Sequence, residues 1–164
     1  MPLAYYYNLN KSDKSIYRKS DKIKNIKLNK LMVLRKSIIS IKNNLQAEDK
    51  KNLEKEIREF LNQLTDSLDI ETVNIKLLGS RPDNNWGELH GLYEQAEGRK
   101  KAKITLWMKT AKRKKVIAYK TFVRTLIHEV CHHFDYTLLK FEDSFHTEGF
   151  FYRESSLYKQ LVIN

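Results

Sequence analysis

The segment 119–138 reads YKTFVRTLIHEVCHHFDYTL and contains neither glycine nor proline. Its apolar residues recur at three- and four-residue steps, which is the spacing of one face of an α-helix. The residues on this face are Val123, Leu126, Ile127, Val130 and Phe134. The opposite face carries Thr121, Thr125, His128, His132 and Asp135. The pattern predicts a long helix that buries its apolar face and presents two histidines on the other side.

The pentapeptide His128-Glu-Val-Cys-His132 places two imidazoles four residues apart. Side chains at this spacing lie one above the other on a helix, so both rings can reach one zinc ion. Glu129 then lies where it can take a proton from a metal-activated water. This HExxH arrangement is typical of zinc peptidases, and it predicts peptide-bond hydrolysis with Glu129 as the general base.

A third protein ligand is predicted in the segment that follows the motif helix. After a short acidic loop at 141–145, His146 opens a second helical pattern that runs to about residue 162. A turn of this length can bring His146 back over the first helix, which gives three ligands and one open coordination position. Glu148 is the alternative third ligand, since some zinc peptidases use a carboxylate there.

The stretch from about Lys101 to Leu161 resembles the SprT-like (Spartan-type) zinc metallopeptidase domain. The matching segments are a strand at 103–107, the helical TLIHEVCH at 125–132 and HTEGF at 146–150. The resemblance implies that His128, His132 and His146 are the zinc ligands and that Glu129 is the general base. It also implies a zincin-like fold, and it does not extend to the N-terminal half of the chain.

The first 70 residues are predicted to be helical, because all five glycines fall at or after Gly79 and Pro2 is the only earlier proline. Leucine and isoleucine recur at helical spacing, which predicts two amphipathic helices near 27–43 and 48–65. The opening segment, with tyrosines at 5–7 and then lysines and serines, is predicted to be a partly ordered arm or short helix whose tyrosines contact the core.

Three strands are predicted before the motif helix, at 71–78, 88–95 and 101–108. The resulting fold class is α+β: a minimal zincin-like domain with a three-stranded, mainly antiparallel sheet, a motif helix and a C-terminal helix, preceded by an N-terminal helical region. The expected organisation is a helical region at 1–70 and a metallopeptidase domain at 71–164. By analogy with zincins, the strand at 104–107 is the candidate edge strand that pairs with an extended substrate.

The length of 164 residues fits one compact domain, or one domain with a helical extension. Cys131 is the only cysteine, so no intramolecular disulfide can form, and a buried apolar role is expected for it. The sequence has no evident signal peptide and no apolar run of membrane-spanning length. These features predict a cytoplasmic protein without a membrane partner.

The net charge of +11 is unevenly distributed. Residues 1–47 hold eleven Lys or Arg against two acids, and residues 98–128 hold eleven against none. Basic blocks of this kind can bind nucleic acid through counterion release. The sequence therefore leaves three functions open: a zinc peptidase acting on a protein or peptide, a basic nucleic-acid-associated protein with a structural or dormant zinc site, and a zinc hydrolase acting on a non-peptide amide.

Five further residues near the motif have weaker predictions attached to them. His133 is expected at the boundary between the two faces of the helix and is not expected to be a ligand. Asp135 is expected either to orient a ligand imidazole or to be a surface carboxylate. Arg153 and Tyr152 are candidates for stabilising the oxyanion, and His90 is expected at a solvated strand position.

Overall fold

The computed structural model describes residues 1–84, 87–88 and 91–163. After a short 3-10 helix at Ala4–Asn8, the helices are α1 Lys11–Lys22, α2 Leu31–Gln46, α3 Lys50–Ser67, α4 Tyr119–Thr137 and α5 Glu148–Leu161. The strands are β1 Asn74–Ser80, β2 Asp83–Asn84, β3 Gly87–Glu88, β4 Gly91–Glu94 and β5 Lys103–Lys109. His90 and part of the strand predicted at 88–95 lie outside the described residues.

The α+β class is confirmed, and the main sheet has three strands in the order β1-β5-β4. The sheet is mixed, whereas a mainly antiparallel one was expected. β1 runs parallel to β5, with Asn74 opposite Lys103, and β4 runs antiparallel to β5, with Gly91 opposite Leu106. The parallel pair arises because the chain returns through β4 before it enters β5.

The prediction that the strand at 104–107 forms the sheet edge is wrong. β5 lies between β1 and β4, and the five consecutive residues 104–108 are all buried. A strand with continuous burial is covered on both faces, which is typical of a central position. Among the described strands, β4 is the edge strand nearest the motif helix, and its residues are half-buried or exposed.

The two predicted N-terminal helices are confirmed as α2 and α3. Their buried residues, among them Leu34, Ile38, Leu53 and Ile57, belong to one apolar cluster with residues of the sheet, α4 and α5. This cluster runs from Ile26 to Val162. The regions on either side of residue 70 therefore share a single hydrophobic core.

The opening segment forms a well-defined helix, α1, after the short 3-10 helix. Its first turn is capped by Asn10, whose side chain accepts a hydrogen bond from the Asp13 main-chain N–H. One face of α1 buries Ile16, Tyr17 and Ser20 while lysines remain exposed. The expectation that the tyrosines at 5–7 contact the core is met in part: Tyr5 and Tyr6 are half-buried and pack on the ring of the buried Tyr17, at 5.6 and 5.0 Å, whereas Tyr7 is 61% exposed.

The motif helix α4 is confirmed with the predicted apolar face inward, since Val123, Leu126, Ile127, Val130 and Phe134 are all buried. α5 begins after Thr147, whose hydroxyl accepts a hydrogen bond from the Phe150 N–H at 2.8 Å. The short connection between the two helices carries His146. In the part of the chain that the structure describes, no helix has the length and apolar character needed to cross a membrane.

Candidate metal centre

Three histidines converge at the surface where α4 meets the start of α5. The His128 and His132 ring centroids are 5.0 Å apart, and the His146 ring lies 4.9 Å from each of them. One nitrogen from each ring lies within 4.8 Å of the other two, so the three can hold a single metal ion. The structure thus brings together all three residues that the sequence predicts as ligands.

The spacing of one pair of donor atoms is close to that required by a tetrahedral zinc site. Nitrogens bound to zinc at about 2.0–2.1 Å lie about 3.3 Å apart when the geometry is tetrahedral. The His132 and His146 Nε2 atoms are 3.0 Å apart, close to that separation. All three histidines line the adjoining cleft, so an ion held by them would be accessible from it.

Glu148, the alternative third ligand, is not part of the cluster. Its side chain is 47% exposed, and its Oε2 lies 3.9 Å from the Met1 amino group. Glu148 lies in the first turn of α5 and follows His146 in the sequence. The geometry therefore favours His146 over Glu148 as the third donor.

His128 is oriented by a carboxylate that the sequence analysis missed. Its Nδ1 lies 2.6 Å from Glu154 Oε1, and the other carboxylate oxygen is 3.4 Å from the Arg124 guanidinium. A carboxylate can only accept, so His128 donates from Nδ1 and keeps the Nε2 lone pair for a metal. A signal existed in the sequence, because Phe150 and Glu154 are four residues apart and so share the face of α5 that packs against His128.

His132 is oriented through a longer chain of hydrogen bonds. Its Nδ1 lies 2.7 Å from Ser144 Oγ, and Ser144 in turn donates to Asp135 Oδ2 at 2.7 Å. Asp135 is fully buried and paired with Arg153 at 3.1 Å. Asp135 therefore reaches the His132 imidazole indirectly, with Ser144 as the link, and the alternative prediction of a surface carboxylate is wrong because Asp135 is fully buried.

The three imidazoles differ in their electrostatics. Burial lowers the pKa of His132, and the nearby His128 and His146 add to this shift, which brings the pKa to about 3. Burial and His128 also lower the pKa of His146. Burial acts to lower the pKa of His128 too, but the Glu154 hydrogen bond and the charges of Glu129 and Glu154 outweigh it and raise the pKa overall.

Glu129 lies beside the histidine cluster and is only 6% exposed. Burial raises its pKa to about 7; His128 opposes the shift and Glu154 adds to it. A carboxyl group with a pKa near neutrality can both take up and release a proton at physiological pH. A cation held by the histidines favours the ionised form of Glu129, so it shifts this group towards proton acceptance.

A cleft of about 350 Å³ opens in front of these groups. Its wall is formed by the edge strand β4 on one side and by α4 with the following loop on the other. The lining residues are Gly91, Leu92, Tyr93, His128, Glu129, His132, Tyr136, Ser144 and His146. The Tyr93 and Tyr136 rings stack at 6.0 Å, which gives the cleft an aromatic end.

The other residues considered near the motif have structural roles. Both His133 nitrogens are engaged, one with the Tyr93 hydroxyl at 2.8 Å and one with the Glu71 carbonyl at 2.7 Å, so His133 is a cross-link. Arg153 is fully buried in its pair with Asp135 and is not available to a substrate. Tyr152 is exposed, and the Lys24 ammonium lies over its ring. Cys131 is buried, as expected.

Comparison of the chain with protein-family models, curated proteins and solved structures returns no match. The SprT-like resemblance stays a prediction that rests on the motif residues. The function of the site is therefore inferred from the geometry and chemistry of its residues.

Proposed function

We propose that this protein is a zinc metallopeptidase. The observation that carries the proposal is the convergence of three imidazoles beside a buried glutamate, in a cleft bordered by an edge strand. Three histidine donors suit catalytic zinc better than structural zinc, whose sites are closed by four protein ligands. When bound, zinc supplies a Lewis acid that activates water and polarises the scissile carbonyl.

In this proposal, different residues of the protein orient the histidines, transfer the proton and donate to the carbonyl oxygen. Glu154 and Ser144 hold the tautomers of His128 and His132 that leave Nε2 free for the metal. Glu129 takes the proton of the attacking water and passes it to the leaving amine. Tyr136 lines the same cleft, and burial raises the pKa of its hydroxyl to about 12, so the hydroxyl remains a donor. It donates to Asp143 Oδ1 at 3.2 Å, and in this proposal it would exchange that bond for one to the substrate's carbonyl oxygen.

β4 supplies the binding surface for an extended substrate in this proposal. It is the edge strand of the sheet beside the histidines, and three of its residues line the cleft. An extended peptide can add to such an edge through main-chain hydrogen bonds, which recognise a backbone without requiring one particular sequence. The proposed substrate class is therefore an unfolded or extended polypeptide segment.

The test combines zinc stoichiometry with cleavage of a labelled, unfolded protein. We expect one zinc per chain and zinc-dependent cleavage in the parent protein. Glu129→Gln should keep the zinc and lose about 10²–10⁴-fold in rate, because the general base is removed. Glu148→Gln is the matched control and should keep both zinc and activity. Undiminished cleavage by Glu129→Gln would refute the proposed role of the base.

A second candidate function, nucleic-acid binding, is favoured by one surface feature. A groove of about 600 Å³ between the α1–α2 connection and α5 is lined by Lys24, Lys27, Arg35 and Lys159, with no acid among its described lining residues. If this groove holds phosphates, the logarithm of the binding constant should fall linearly with that of the salt concentration, with a slope of about −0.7 to −0.9 per phosphate contacted. Salt-independent or absent binding would remove this candidate.

A further inference from the structure

The C-terminal end of α1 is in direct contact with the first turn of α5, immediately after the third histidine. A Cβ atom on Gly149 would lie 2.5 Å from the Ser20 carbonyl oxygen and 2.6 Å from that of Asp21. The Gly149 N–H donates to Asp21 Oδ1 at 3.0 Å, and the Ser20 and Thr147 hydroxyls are 3.1 Å apart. The position of α5 relative to the motif helix is therefore fixed partly by α1.

Arg153 connects this contact to the second histidine. Its guanidinium donates to the Ser20 carbonyl and the Ile23 carbonyl, each at 2.6 Å, and to the Ser20 hydroxyl at 2.9 Å. It also donates to Asp135 at 3.1 Å. Because Asp135 accepts from Ser144, a continuous line of hydrogen bonds runs from Ser20 to His132 through groups that are mostly buried.

The residues that precede α1 reach the third histidine by a separate route. The Tyr5 hydroxyl donates to the main-chain carbonyl of His146 at 2.7 Å. The Tyr5 ring packs edge-on against Tyr17, at 5.6 Å, and the Tyr17 hydroxyl accepts from the Leu3 N–H at 2.8 Å. Burial raises the pKa of Tyr5 to about 12, so its hydroxyl stays protonated and able to donate.

We infer that the N-terminal segment 1–23 helps to hold the metal centre in place. Tyr5 is a positioning residue for His146, and Ser20 is a positioning residue for His132. The inference rests on the proposed binding of a metal by the three histidines. Tyr5 restrains the backbone that carries His146. Ser20 anchors the Arg153 guanidinium, Arg153 is paired with Asp135, and Asp135 orients Ser144 beside His132. Groups that hold ligands in place in this way contribute to metal affinity even though they do not touch the metal.

The experiment measures zinc affinity by competition with a chromophoric chelator and the visible absorption spectrum of the Co²⁺-substituted protein. Tyr5→Phe removes one hydroxyl and keeps the ring that packs on Tyr17. Ser20→Ala removes the hydroxyl and keeps the carbonyl. The matched controls are Tyr7→Phe, at a residue 61% exposed, and Ser12→Ala, at an exposed position on the same helix as Ser20. Thermal unfolding of the metal-free proteins shows that each variant folds.

We expect Tyr5→Phe and Ser20→Ala to weaken zinc binding about tenfold or more and to alter the Co²⁺ spectrum, because the ligand geometry loosens. Tyr7→Phe and Ser12→Ala should match the parent in both measurements. Parent-like affinity and spectra in Tyr5→Phe and Ser20→Ala would overturn the inference and leave the proposed peptidase intact. A parent protein that binds no zinc would instead remove the proposed function, and this inference with it.

Discussion

Gly91 lies where the edge strand β4 is close to the motif helix α4, and replacing it with alanine should disturb both the fold and the site. The added Cβ would lie 2.8 Å from Thr125 Cγ2, 3.0 Å from Glu129 Oε1 and 3.1 Å from Glu129 Cγ. Carbon atoms in packed interiors approach to about 3.5–4.0 Å, so β4 or α4 has to move. We expect Gly91→Ala to lower the free energy of unfolding by about 1–3 kcal/mol, the usual cost of overpacking.

Gly79 provides the control, because no heavy atom lies within 4 Å of a Cβ added there. Gly79 also lies in a strand, β1, where alanine is favoured over glycine by about 0.5–1 kcal/mol. Gly79→Ala should therefore raise the free energy of unfolding slightly. Urea denaturation of the two variants gives the comparison directly, and equal stabilities for Gly91→Ala and Gly79→Ala would refute the proposed close approach of β4 to α4.

A double-mutant cycle identifies the atom responsible. Thr125→Ser removes Cγ2, the shortest contact of the new Cβ, and keeps the hydroxyl that donates to the Thr121 carbonyl at 2.9 Å. We expect Thr125→Ser to recover on the order of 1 kcal/mol in the Gly91→Ala background. Cleavage should not recover fully, because the contacts with the Glu129 side chain remain.

Four other outcomes follow from the site and its supports. Glu154→Gln should weaken zinc binding about 10–100-fold in a chelator competition assay, since a neutral amide is a weaker acceptor for the ligand imidazole. Gly149→Ala should cost about 2–3 kcal/mol in urea denaturation, because the obstructing atom is the Ser20 main-chain oxygen rather than a flexible side chain. Tyr93→Phe should cost about 1–3 kcal/mol by leaving a buried His133 nitrogen without its hydroxyl partner. Zinc at a hundredfold excess over its dissociation constant should add about 2.7 kcal/mol of stability, and excess chelator should abolish that gain in a melting experiment.

The parts of the structure that could be predicted are those set by local periodicity. α4 is an example, because its apolar spacing and the positions of His128 and His132 are fixed within a few turns of one helix. The N-terminal hairpin of α2 and α3 was predictable for the same reason. His146 was predictable as a third donor because the connection between the two helices is short.

The remaining features depend on contacts between distant segments. The central position of β5 results from its pairing with β1 and β4, which its own sequence does not specify. The sequence predicts only an arm or short helix at α1, because the helix has three buried residues and most of its other residues are lysines or other polar residues, which gives a weak apolar pattern. Ser144 and Glu154 acquire their roles only when the loop and α5 fold over α4.

The hydrophobic core shared across residue 70 has a practical consequence for anyone wishing to shorten this chain. Leu34, Ile38, Leu53 and Ile57 are at most 1% exposed, and they belong to the same apolar cluster as the buried faces of α4 and α5. A fragment that began at residue 71 would leave those faces open to water and prone to aggregation. A shortened version should therefore keep α2 and α3 together with the sheet, α4 and α5, and changes are better confined to individual surface side chains.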